Sequence, residues 1–246
     1  MLSRPYDPTV REIKFNPDAA ALIAMNLAAS KVTTKELDKL TGGFSAPSKM
    51  PGLSFNLPAL VTCKIGAILA KQEGTVCSGC YALKGRYAFP ATQEALDRRL
   101  SAVRELDRWA AAMALRISKY KGDKAKWFRF HDSGDIVSLG HLRAIAWVAR
   151  QCPETKFWLP TREVQLVREY TASWPIPENL CIRVSGMRIN AKAPEIKHAP
   201  EVAYSAVHSD EVPAGYSVCP APKQEGKCGD CRSCWDPATL VSYHVH

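Results

Sequence analysis

The feature that most constrains the fold is an alternation of periods that starts at Lys126. "KWFRFHD" (126–132) is an extended apolar run, and "SLGHLRAIAWVARQC" (138–152) is amphipathic at helical spacing. "KFWLP" (156–160), "EVQLVREYTASW" (163–174) and "NLCIRVS" (179–185) repeat the pattern of strand, helix, strand. "VAYSAVH", "GYSVC" and "LVSYHVH" add short extended pieces up to the last residue. Strands separated by helices must cross over, so the sheet is expected to be mostly parallel and the fold α/β. An open doubly wound sheet and a complete or partial barrel both satisfy this pattern.

The first half is expected to carry helices before the sheet. Asn16, Pro17 and Asp18 form an N-terminal cap, first position and first turn for "NPDAAALIAMNLAAS". Thr33 or Thr34 caps "TTKELDKLTGG", and Gly42 stops it. "FSAPSKMPGLSFNLPALVTC" reads as loop with a short strand ending near Cys63. Residues 92–120 show one apolar stripe through Leu96, Leu100, Val103, Leu106, Ala110, Met113 and Ile117, which predicts a single long helix. We divide the chain into a helical N-terminal extension, 1–50, and an α/β domain, 51–246, that includes a Cys-rich segment at 219–234.

Polar residues follow the strands. They are His131, Asp132, Ser133, Gly134 and Asp135, then Thr161, Arg162 and Glu163, then Ser185 and Met187, then His208 and Ser209. In parallel α/β folds the carboxyl ends of all strands open on one side, so these residues are expected to converge on one mouth. His131, Asp132, Asp135 and Arg162 are the candidate catalytic residues. Ser133, Gly134, Asp135 and Ser185 are the candidates for holding a small-molecule ligand.

Seven of nine cysteines fall in two groups. Thirteen residues lie between Cys63 and Cys77, and two between Cys77 and Cys80. Eight residues lie between Cys219 and Cys228, and Cys228 opens a Cys-x2-Cys-x2-Cys run through Cys231 and Cys234. That run wraps corners of an iron–sulfur cube, and Pro220 follows the fourth cysteine. The first group has no fourth cysteine, which fits a cluster with one open iron. Zinc completed by His131, His208 or His244 is the alternative, and a single site shared by all seven is another. Cys152 and Cys181 read as small buried apolar side chains. Tyr81 and Leu83 are expected to keep water off the sulfurs, with Lys84 and Arg86 offsetting thiolate charge or drawing an anion.

The net charge of +9 permits a nucleic-acid partner without requiring one. Arg98, Arg99, Arg104, Arg108 and Arg116 read as a solvated helix face paired with Glu94, Asp97, Glu105 and Asp107. No apolar run reaches the roughly 20 residues of a membrane span, and the start has no apolar signal core. A cytoplasmic protein without a membrane partner is expected. There, cysteines serve as thiolates more than as disulfides.

"LPALVTC", "CSGCYALKGRY", "RFHDSGDI", "FWLPTRE", "KCGDCRSCWD" and "VSYHVH" together resemble the phage family named after mycobacteriophage gene product eighty-eight, over about residues 50–246. The resemblance implies a phage or prophage origin, hence the host cytoplasm, and a cysteine-bound iron–sulfur cluster, 4Fe-4S in the first instance. A looser resemblance is to radical S-adenosylmethionine enzymes, which fold as a partial parallel barrel of about six strand–helix units. It implies a partial TIM-like barrel here, a cluster on Cys63, Cys77 and Cys80, and S-adenosylmethionine held near Ser133, Gly134 and Asp135, with Asp135 on its amino group. That family's usual spacing is Cys-x3-Cys-x2-Cys, whereas thirteen residues follow Cys63 here. Three functions therefore stand: a redox or radical iron–sulfur enzyme, a zinc-stabilised nucleic-acid-binding protein, and a structural phage protein whose metal only holds its C-terminal loop.

Overall fold

Alternate residues of three strands face opposite ways. In β2 (Trp127–Phe130), β3 (Lys156–Thr161) and β4 (Leu180–Ile189), the chain places Phe128, Phe130, Phe157, Leu159, Leu180, Ile182 and Val184 in one buried core. These strands are central in a seven-stranded sheet with β1 (Leu53–Phe55), β5 (Ala203–His208), β6 (Ser217–Val218) and β7 (Val241–His244). The computed structural model describes residues 4–245. His246, the end of the expected last strand, lies outside the described residues. All pairings are parallel, and the order is β1-β2-β3-β4-β5-β7-β6. The parallel α/β expectation is met with seven strands rather than about six. Among the described residues the order is linear with β1 and β6 at the edges, and the partial TIM-like barrel expected from the looser resemblance is not confirmed.

The helices are α1 (Pro17–Ala29), α2 (Thr34–Thr41), α3 (Lys64–Leu69), α4 (Pro90–Val103), α5 (Leu106–Ser118), the single turn α6 (Asp123–Lys126), α7 (Leu139–Gln151) and α8 (Val164–Thr171). Trp109 and Met113 of α5, Leu142 and Ile145 of α7, and Val167 of α8 bury against the phenylalanine face. Trp109 meets Phe55 edge-on at 5.4 Å between ring centroids. Ala20 of α1 joins the same core, and Leu37 of α2 packs with Val32 and Ala112. The N-terminal caps form as expected: Asn16 accepts from Asp18 and Ala19, Thr33 and Glu36 make a capping box, and Gly42 ends α2 at φ 80°.

Two expectations need correction. The long helix of residues 92–120 is broken: α4 ends at Val103 and α5 begins at Leu106, with Glu105 at φ −118°, ψ 70°. Arg104 turns away to bind the Asp7 carboxylate at 2.6 Å. The apolar spacing keeps its phase across the break, so periodicity does not register it. The first strand ends at Phe55 rather than near Cys63, and Cys63 instead opens α3. Among the described residues no helix is long and apolar enough to cross a membrane.

The second face of the sheet is filled differently. Trp158 and Trp235 pack with Cys234, and Met50, Trp127 and Tyr243 border them. Arg183 is fully buried between them. Its guanidinium donates to four carbonyls: Tyr204 and Thr239, each at 2.7 Å, Asp236 at 2.8 Å and Ser233 at 2.9 Å. Trp235 adds an indole N–H to the Phe128 carbonyl at 3.1 Å. These bonds fasten the Cys-rich segment to the sheet. Arg183→Met keeps the stem and removes every donor, leaving buried carbonyls unpaired. We expect a loss of about 3–5 kcal/mol in urea unfolding, with new protease cleavage confined to residues 219–240. Wild-type stability in this variant would show that the segment docks by other means.

Candidate functional site

At the carboxyl ends of the strands lies a cavity of about 330 Å³. Cys63, Cys77 and Cys80 line it, together with His131, Asp132, Ser133, Gly134, Asp135, Arg162 and Ser185. Residues from four separate stretches thus meet, as the topology requires of strand-end groups. The volume suits a small molecule.

The three thiols arrive from two directions. Cys63 precedes α3, and Cys77 and Cys80 sit on a turn closed by a bond from the Cys80 amide to the Cys77 carbonyl at 3.2 Å. Gly66, one turn into α3, faces them. A Cβ there would stand 2.8 Å from the Cys63 Cβ, 3.7 Å from the Cys77 Sγ and 3.8 Å from the Cys63 Sγ. The missing methyl leaves room beside both sulfurs. Burial pushes the Cys63 thiol well above its ordinary range, and the charges of Asp135, Cys77 and Cys80 push it further. Burial also raises Cys77, partly offset by the Arg162 guanidinium. All nine cysteines are free thiols. Among the described residues no group of three or more His, Cys, Asp or Glu is placed to hold a metal ion as it stands. Thiolates on this cavity are donors for zinc and for an iron–sulfur cluster alike. The donor chemistry, three thiols on one cavity with space beside them, fits an iron–sulfur cluster with three protein ligands.

The strand-end residues take distinct parts. Asp135 Oδ1 accepts from the Ile136 amide at 2.8 Å and the Thr161 hydroxyl at 2.6 Å, and Oδ2 accepts from the Arg162 amide at 2.9 Å. Its carboxylate therefore ties the β2 end to the β3 end. Burial, then the Glu163 charge, pushes its pKa up to about 7. Ser133 donates to the Leu57 carbonyl at 2.7 Å. Gly134 has φ 78°, and a Cβ would strike Leu57 at 2.6 Å, so only glycine fits. Ser185 accepts from the Ser205 hydroxyl at 3.3 Å. Arg162 donates to the Gly186 carbonyl at 3.1 Å. His131 is 3% exposed with φ 61°, and its ring meets His141 at 5.4 Å. Burial, with His141 and Arg129 adding, keeps it neutral. Among the described residues neither of its ring nitrogens has a partner. His208 does not line the cavity and is bonded to Ser242 at 2.8 Å, whereas His244 does line it.

The second cysteine group lies on the docked segment and does not line this cavity. Gly226 and Gly229 have φ 75° and 53°, which the turns between its cysteines require. Burial raises the Cys219 and Cys228 thiols, each raised further by neighbouring cysteines of the group. Cys234, pushed up to about 12 by burial, lies 3.2 Å from the Tyr243 hydroxyl. Cys152 and Cys181 are buried, as expected of small apolar side chains. Tyr81 and Leu83 do not seal the first group: they are 40% and 38% exposed, and Tyr81 donates to the Asp132 carbonyl.

Sequence reasoning missed Arg129, Trp158 and Tyr243, which also line the cavity. Their signal was the second phase of the strand alternation, where an arginine and a tryptophan replace aliphatic residues. Glu163, expected at the mouth, does not line the cavity; it is buried, accepts from the Ile65 amide at 3.0 Å and pairs with Arg11, anchoring α3 and hence Cys63. Of the arginines on the 92–120 stretch, Arg99 is buried on the Gly43 carbonyl, Arg104 pairs with Asp7, Arg108 with Glu105 and Arg116 with Asp38.

Asp135 has a sign-definite consequence. Its folded pKa lies above the unfolded value near 3.9, so the folded chain holds the extra proton between about pH 4 and pH 7. Stability from this group is complete below pH 4, falls as pH rises to about 7, and is level above. Asp135→Asn should flatten the unfolding free energy of the metal-free protein across that window. An unchanged slope would assign the pH dependence elsewhere.

A family model described as Gene product 88 matches residues 25–237. No curated protein and no solved structure matches the chain. The looser resemblance to radical S-adenosylmethionine enzymes thus gains no support from these comparisons. With most of its length under the one matching model, the chain belongs to the phage gene product 88 family.

Proposed function

We propose that this protein is a phage iron–sulfur protein whose cluster is held by Cys63, Cys77 and Cys80 beside a ligand chamber, and that it carries out redox or radical chemistry there. The observation that carries the reading is the convergence of three thiols on a small-molecule cavity at the strand ends, with Gly66 leaving space beside the sulfurs. A cluster with three protein ligands supplies an electron or an open iron. The chain supplies the rest. Arg162, whose charge acts on Cys77, offsets thiolate charge. Asp135, with a pKa near 7, holds or releases a proton near Cys63 at neutral pH. His131 offers a neutral imidazole. Cys219, Cys228, Cys231 and Cys234 would hold a second, fully ligated cluster. Tyr243, bonded to Cys234 and lining the chamber, lies between the two groups. The parallel sheet then serves as an open half-barrel, in the host cytoplasm, with S-adenosylmethionine as a candidate co-substrate.

The test is anaerobic purification followed by iron, acid-labile sulfide and zinc analysis with electron paramagnetic resonance. Iron and sulfide should be present in the wild type. Cys77→Ser should lose one cluster's share, and Cys231→Ser the other's. Adding S-adenosylmethionine should alter the signal of the first cluster only. Stoichiometric zinc without iron would replace this reading with the zinc-stabilised one, and steeply salt-dependent nucleic-acid affinity would then complete it. A second readout is Gly66→Ala. The added methyl favours the helix by about 1 kcal/mol but would stand 2.8 Å from the Cys63 Cβ, so the Cys63 side chain must shift. It should leave the fold intact and cut iron retention by the first group. Full iron loading in that variant would count against this placement.

A further inference from the structure

The chamber wall formed by β2 and β3 carries unpaired hydrogen-bonding groups of a definite kind. Among the described residues Nε of Arg129, Nε1 of Trp158 and Oδ1 of Asp132 are buried without partners. All three residues line the cavity, and Trp158 is 6% exposed. The Arg129 guanidinium stacks on the Trp158 ring, 4.3 Å from its centroid. Among the described residues no carboxylate comes within 4.0 Å of Arg129 to form an ion pair.

Arginine and tryptophan side chains only donate, and an ionised carboxylate only accepts. Buried groups left unpaired cost about 1–3 kcal/mol each, more when charged. A single ligand group that pairs two adjacent donors while carrying a donor of its own would relieve all three. Phosphate answers the donors but repels Asp132. A plain carboxylate answers the donors and leaves the Asp132 Oδ1 unpaired. A carboxylate with a hydroxyl or amine on the adjacent carbon meets both demands.

We infer that the Arg129, Trp158 and Asp132 wall is a binding site for small α-hydroxy or α-amino carboxylates. The inference deepens the function proposed above by naming a ligand class, but it rests on the chamber wall and not on the metal. Arg129 and Trp158 take the carboxylate, and Asp132 takes the donor beside it.

The experiment is isothermal titration of the anaerobically purified protein with lactate, glycine, acetate and inorganic phosphate, with iron measured in every sample. Lactate or glycine should bind saturably, at least about tenfold tighter than acetate or phosphate. Arg129→Gln and Trp158→Phe should each weaken that binding by about tenfold or more with iron content unchanged. Trp158→Phe retains the ring, so it guards against an Arg129 variant that fails to fold. Asp132→Ala should erase the preference over acetate. Absence of saturable organic-acid binding, phosphate binding best, or binding indifferent to both wall variants would each overturn the assignment, leaving ordered water as the partner of these atoms. Loss of iron with lactate or glycine binding retained would count against the cluster reading and leave this one standing.

Discussion

Arg183 is a cation with no exposure to solvent, and the arrangement of the second face of the sheet follows from satisfying it. A lone buried guanidinium is costly; one that meets four carbonyls is a fastener. Those carbonyls belong to β5 and to three points on the C-terminal segment, which they tie to the sheet. Docking that segment places Trp235 against Trp158 and Trp127. Trp158 in turn supports Arg129 over the chamber. One buried charge thereby connects the Cys-rich segment to the wall of a cavity that its cysteines do not line.

The opposite face works by ordinary apolar packing, and the division between faces gives the site its character. Phe128, Phe130 and Phe157 spend one phase of the strands on the helices. The other phase is left to groups that carry hydrogen bonds and charge. Parallel strands then bring the loops after β2 and β3 to the same side, and Asp135 joins them through the Thr161 hydroxyl and the Arg162 amide. Glu163, the next residue, holds the α3 start through the Ile65 amide. The position of Cys63 therefore depends on the end of β3, although nearly a hundred residues separate the two in sequence.

Much of this was legible where the cause is local. Asn16, the Thr33–Glu36 box and Gly42 act within a few residues, so their helices could be read directly. Strand–helix alternation gave the parallel sheet, and strand-end polarity gave the cavity's rim. Illegible features have distant causes. The break after Val103 coincides with Arg104 turning to Asp7, 97 residues away. Ser133 and Gly134 looked like ligand-binding residues, but each is engaged with Leu57, and for Gly134 the reason is a contact of backbone against backbone. Arg129 looked like one polar residue in a strand, and only the neighbour across the sheet, Trp158, reveals its setting.

The two cysteine groups illustrate how far spacing can carry an argument. Spacing separated them, and the structure gives a physical ground for treating them apart: the first faces the chamber and the second lies on the docked segment. Burial raises thiols in both groups, so binding any metal must release protons and affinity must climb with pH. The burden differs between them. Cys63 sits near the Asp135 carboxyl, so ionising one raises the cost of ionising the other, whereas Cys77 has Arg162 to soften the charge. Metal on the first group would therefore draw the Asp135 proton into its own balance, linking the state of the thiolates to the bond between β2 and β3. That linkage would make the chamber's shape and the charge on its sulfurs a single variable.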